Sequence, residues 1–208
     1  MQVPDYRDYE YGYGQAYDLA AKRLRGIQDI KELCRRGGAL CREDKIIIKY
    51  LNQDYQINLP EVKISGENRT EPVPVKEQIL ILDYLTRAKG TTLSGKLITY
   101  KDLPEGVAYF RTFYQRTIKH LVSTFGAEPS RLLASGEKLG GGKAEYGDIS
   151  VTIPAFPCVP ITFILWHGDE EFSAEVNILF DSTVTDYLSV EDINVLCETI
   201  TWKLVRAR

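Results

Sequence analysis

The chain has 208 residues, of which 44% are hydrophobic and 26% charged, with a formal net charge of −3. That length supports a single well-buried core, or two small domains at most, and the composition is that of an ordinary soluble globular protein. No large basic block is present, so nucleic acid is not an expected partner.

The opening residues, MQVPDYRDYEYGYG, are polar, acidic and tyrosine-rich, unlike a secretory signal with its basic and apolar regions. They read as a loose arm over 1–14 on a single domain spanning 1–208. The longest apolar stretches, 78–85 and 159–166, are too short to span a bilayer, so a cytoplasmic protein without a membrane partner is expected. Cys34, Cys41, Cys158 and Cys197 form no C-x-x-C pair. Packed, reduced thiols are the simpler reading, with a Cys34/Cys41 metal or redox pair as the alternative.

Apolar residues from Tyr13 through Ala20, Leu24 and Ile27 to Cys34 fall at helical spacing, and Gly37-Gly38 permits a left-handed cap. Strands follow at 45–50 and 55–64, an N-terminal hairpin turning near Asn52. Residues 65–74 are a polar loop with glycine and two prolines. A second helix occupies 75–88, a short extended segment 97–100, and a structured turn 100–106. Phe110, Phe113, Tyr114, Ile118, Leu121 and Phe125 form a third helical stripe closed by Gly126, and Pro129 opens a further short helix. Ser189 with Asp192 three residues on reads as a capping-box start for the last helix.

Three strands dominate the C-terminal half. Ile149, Val151 and Ile153 alternate with Ser150 and Thr152; residues 161–166 are almost wholly apolar; Val176, Ile178 and Phe180 alternate with wetter positions. Pro154 and Pro157 forbid regular pairing and predict a bend or edge crossing before Pro160. The link between the last two strands is short, which makes them antiparallel. The expected fold is therefore α+β: an antiparallel sheet built on this meander and the N-terminal hairpin, packed with roughly four to five helices.

The chemistry-bearing residues cluster at that last link. His167, Gly168, Asp169, Glu170 and Glu171, with Trp166 before them and Asp181 downstream, place acids and a histidine at a turn. Carboxylates there bind a ligand or partner, perform acid–base work when burial splits their pKa values, or simply face water. His167 leaves a buried strand and is the better functional histidine, whereas His120 reads as a surface residue. One histidine with acids is an incomplete metal set, so no metal is assigned and the cofactor stays unknown. Phe156, Phe163, Trp166 and Phe172 are candidates for a flat pocket wall or, more simply, for core. Gly140-Gly141-Gly142-Lys143 lacks the earlier glycine and the following hydroxyl of a phosphate loop.

Pro154-x-Phe156-Pro157, Val159-Pro160, the strand ending in Trp166, Gly168-Asp169-Glu170-Glu171-Phe172, Leu179-Phe180-Asp181 and Leu188 with Glu191-Asp192 resemble the domain of unknown function DUF3786. Thr99–Pro104 and Phe125-Gly126 are similar to it as well. Ser173 stands where the resemblance leads one to expect proline. The resemblance implies anaerobic bacteria and archaea, and a loose association with iron–sulfur or corrinoid one-carbon metabolism, because some members look joined to a small iron–sulfur module. This chain has no cysteine cluster of that type. The expected role is an accessory or ligand-binding protein for a small molecule or a protein partner. The rival is a small-molecule enzyme using the acidic turn with His167 as acid/base or metal ligands.

Overall fold

The computed structural model describes residues 10–67 and 71–207. Residues 1–9 of the expected arm lie outside the described residues, and from Glu10 the chain is helical. Two of the expected helices are each broken in two. The first becomes α1 (Glu10–Arg25) and α2 (Ile30–Gly37). Gly26 closes α1 on the Lys22 carbonyl at 3.1 Å, and Asp29 starts α2 by accepting from the Glu32 N–H at 2.9 Å. The apolar spacing bridges this break because Leu24 and Leu33, one on each side, are both buried. Gly38 ends α2 at φ 64°, as its left-handed role requires; a side chain there would also meet the Pro157 Cβ at 2.8 Å.

Strands β1 (Leu40–Arg42), β2 (Lys45–Tyr50), β3 (Gln53–Asn58) and β4 (Lys63–Gly66) form a sequential antiparallel sheet. The β2–β3 turn is Leu51-Asn52, with φ of 47° and 61°, the two positive values that a tight hairpin needs. The strand expected over 55–64 is interrupted at Pro60, which has no donor for the ladder. Helix α3 (Val75–Arg87) packs against α1 and α2.

After β5 (Leu97–Thr99) comes a 3-10 turn, Tyr100–Asp102, then α4 (Gly106–Arg116) and α5 (Ile118–Phe125). The third expected helix thus breaks at Thr117, which leaves helical geometry at φ −126°, ψ −79° while its Oγ1 donates to the Phe113 carbonyl at 2.6 Å. Then come α6 (Ser130–Lys138), β6 (Gly142–Lys143), β7 (Ile149–Phe156), β8 (Val159–Trp166), β9 (Glu175–Asp181) and α7 (Val190–Ala207). The second sheet runs β5-β9-β8-β7-β6, antiparallel throughout. The C-terminal meander is as expected, with Ile153 opposite Ile161 and Ile161 opposite Phe180.

The prolines behave differently from expectation. Strand β7 continues through Pro154 to Phe156, with a register shift between them, and Pro154 lies opposite Pro160. Neither residue owes the ladder a donor there, and their outer flanks lie beyond the reach of β6, whose pairing with β7 ends at Thr152, and of β9, whose pairing with β8 starts at Ile161.

The fold is α+β, but the N-terminal hairpin and the meander belong to two sheets rather than one. They are joined by the Leu51 N–H donating to the Ala155 carbonyl at 3.1 Å and by an aromatic stack. Tyr50 lies 4.9 Å from Phe156, which lies face to face with Tyr84 at 4.2 Å, which in turn stacks on Tyr187 at 5.8 Å. Buried residues of both sheets form one hydrophobic cluster. Helices α5 and α6 lie against β9 and β7, with α7 packed behind them. Among the described residues no helix is long and apolar enough to cross a membrane.

Candidate functional site

The link between β8 and β9 is an ordered turn. His167 anchors its start: both its backbone N–H, at 2.7 Å, and its Nδ1, at 3.0 Å, meet the Asp148 carboxylate. Asp169 organises the middle, accepting from the N–H groups of Glu171 and Phe172 at 2.8 and 2.7 Å. These bonds hold the Asp169 carboxyl below its ordinary range, as the bonds from His167 hold Asp148. Gly168 is required by closeness, because a Cβ would lie 2.7 Å from the Ala174 nitrogen.

The side chains at this turn face water. His167 and Asp148 are 55% and 48% exposed, and Glu170 and Glu171 are exposed. Phe172, 69% exposed, and Trp166, 36% exposed, add an aromatic surface, whereas Phe156 and Phe163 are core. Asp181 is not brought to the turn. It ends β9 opposite Leu97, six residues and about 20 Å from Glu175. Its carboxylate accepts from the N–H and hydroxyl of Ser94, the N–H of Gly95, and the N–H and hydroxyl of Thr183.

Immediately beside the acidic turn lies a groove of about 430 Å³. One wall is the first half of β9 and the residues leading into it, Ser173 to Asn177. The other is built by the turn after β5 and by α4 and α5, with Lys101, Phe110, Tyr114, Ile118 and Val122 lining it. Local chemistry sets this wall. Thr99 and Asp102 cap the 3-10 turn, the Asp102 carboxylate accepting from the Thr99 N–H and hydroxyl at 2.8 Å each. Tyr100 is pinned face to face on Phe113 at 3.9 Å, so the residue between the two anchors, Lys101, is left outside. Its Nζ lies 4.2 Å over the Phe110 ring. The break at Thr117 redirects the chain from α4 into α5, carrying Ile118 and Val122 along the groove.

Most of these groove residues were not among the sequence candidates. The third aromatic stripe contained the signal. It is wider than one buried face can absorb: Phe113, Ile118, Leu121 and Phe125 are buried, while Tyr114 is 39% exposed and Phe110 is only partly covered.

His120 differs from its surface reading. Its ring packs 4.6 Å from Trp202, its Nδ1 is buried without a partner among the described residues, and burial, then Lys119, push its pKa down. The cysteines are free thiols. Cys34 and Cys41 lie side by side, and burial first, then Cys41, pushes the Cys34 thiol up to about 12. Among the described residues no three His, Cys, Asp or Glu side chains are grouped so as to hold a metal ion.

With this geometry in place, comparison with known proteins decides the family. The profile of the domain of unknown function DUF3786 matches residues 29–202. The chain belongs to the DUF3786 family. The match reaches from the start of α2 into the last turns of α7, so it takes in both sheets, the acidic turn and the groove. No curated protein and no solved structure matches the chain.

Proposed function

We propose that this DUF3786 protein is a cytoplasmic accessory protein that binds a small organic ligand in the groove between β9 and α4–α5, with the acidic turn as its rim. The observation that carries the reading is the groove itself. It has the size of a small-molecule site, an apolar floor from Phe110, Ile118, Val122 and Val176, and a few converging polar groups, Lys101, Glu175 and Asn177. Trp166, His167, Glu170 and Glu171 extend the same edge of the molecule as an exposed aromatic and charged border. The association with anaerobic iron–sulfur or corrinoid metabolism comes from the family resemblance alone, and it points to where a ligand is to be sought.

The enzyme reading draws on the contact between His167 and Asp148, which orients the imidazole as a carboxylate partner orients a general base. The half-exposed state of both groups favours binding over catalysis, because acid–base work gains from a site that excludes water.

The test is a fragment screen followed by protein-observed NMR. Ligands that bind should shift the resonances of Phe110, Ile118 and Val176 together, and Tyr114→Ala should weaken them by about tenfold, the loss of one aromatic contact. Hits that map elsewhere, or none at all, would sink the groove as the site.

A further inference from the structure

Strand β9 is paired along nearly its whole length on one side only. Its pairing with β8 runs from Glu175 to Phe180, whereas β5 covers just Leu179 to Asp181. The capped turn at Tyr100–Asp102 then takes the chain out of the sheet. Residues 175–178, about 13 Å of strand, therefore have no strand beside them on the flank that forms the groove wall. The ladder fixes which backbone groups that flank presents. The Ser182 N–H donates to the Lys96 carbonyl at 2.8 Å, and in an antiparallel pair alternate residues turn both backbone groups to the same side. Phe180, Ile178 and Val176 thus turn theirs toward the β5 side. Counting inward from the bond between the Ala144 N–H and the Ser150 carbonyl, through β7 and β8, gives the same parity. Past the end of β5, Ile178 and Val176 consequently point into the open edge. The Ile178 N–H bears this out: it donates at 2.8 Å to the side-chain Oδ1 of its own neighbour Asn177, which stands in for the carbonyl of a missing strand.

We propose, building on the reading of the groove as a ligand site, that its ligand is a short peptide bound in extended form as an added strand beside residues 175–178, with its C-terminal carboxylate on Lys101. An open strand edge offers donors and acceptors at a spacing that an extended peptide backbone matches. The bound peptide takes over the Ile178 N–H from Asn177. Alternate side chains of such a strand turn to one face, and the wall from Phe110, Tyr114, Ile118 and Val122 suits apolar ones. Lys101 contacts the Phe110 ring and has no ion-pair partner among the described residues, so the carboxylate brings its counter-charge. The groove, about 430 Å³, has the size of a small-ligand site, and the open edge sets the peptide at about four residues.

The probes are acetyl-Thr-Val-Thr-Val with a free carboxylate, the same peptide as its C-terminal amide, and four variants N-methylated at one amide each, titrated into the full chain by NMR. The parent should shift Phe110, Ile118 and Val176 and slow hydrogen exchange at the Val176 and Ile178 amides. Methylation should weaken binding about tenfold at two alternate amides and little at the two between, because only one parity faces β9. The amide end group and Lys101→Met should each cost about tenfold, and together no more than either alone. Lys101 is exposed, so circular dichroism should show an unchanged fold. Uniform sensitivity to methylation, or no protection at Val176 and Ile178, overturns the added strand. Independent losses from the amide end group and Lys101→Met overturn the carboxylate assignment. If the peptide leaves Phe110, Ile118 and Val176 unmoved although other fragments shift them, the peptide class is wrong and the groove stays a ligand site. If nothing shifts them, the groove reading falls as well.

Discussion

Asp181 closes the end of β9 remote from the acidic turn, and its surroundings are those of a structural carboxylate. Burial pushes its pKa up, but the bonds from Thr183 and Ser94 outweigh this and hold it at about 2, against 3.8 unperturbed. A carboxyl lowered on folding stabilises the native state above its unfolded pKa and loses that contribution as pH falls through its folded value. Asp181 therefore contributes about 2 kcal/mol at neutral pH, lost between about pH 4 and pH 2. Asp181→Asn should lower the urea midpoint at pH 7 and flatten its dependence on acid; an unchanged midpoint would show that the hydroxyls and amides are equally content with an amide. Asp169 shows the other use of a carboxylate, bound into its own turn while the Glu170 and Glu171 side chains are exposed. Sequence placed all of them in one acidic group, because spacing along a chain says nothing about which oxygens the backbone has already claimed.

At the scale of elements, α7 shows what local sequence determines. Ser189 and Asp192 exchange bonds, the Ser189 N–H donating to the Asp192 carboxylate at 3.0 Å and the Asp192 N–H to the Ser189 Oγ at 3.1 Å. Ser189→Ala should cost about 1 kcal/mol of unfolding free energy with an unchanged denaturant slope. A change in slope instead would mean that α7 frays in the native state. This start was legible because a capping box is written in four consecutive residues. The meander was legible because strand alternation and a short link are equally local. The break at Thr117 was not: no glycine or proline marks it, and the helical stripe continues across it. Strand β1, three residues long, and β6, two, are too short for any periodicity to show. That there are two sheets depends on tertiary packing, which no single strand records.

The whole molecule holds its two sheets against each other through the Tyr50–Phe156–Tyr84–Tyr187 stack and the bond from Leu51 to Ala155, in one buried cluster. We read residues 10–207 as a single cooperative unit on that basis. Urea unfolding followed by far-ultraviolet circular dichroism and by near-ultraviolet aromatic signals should give coincident transitions. Two separated transitions would divide the sheets into independent domains. The acidic half of the candidate site was visible in the sequence as a run of charges. The groove was not, because its walls come from residues around 101–122 and 173–177, which the pairing of β5 with β9 and the packing of α5 on β9 draw together.

The chain contains two tryptophans, Trp166 at the rim beside the acidic turn and Trp202 in α7 against His120. One is 36% exposed and the other 5%. Intrinsic fluorescence should consequently divide into a red-shifted emission open to iodide and a blue-shifted emission shielded from it. The first reports what lands at the rim, the second the integrity of the interior, so occupancy and unfolding can be followed separately in one unlabelled cuvette.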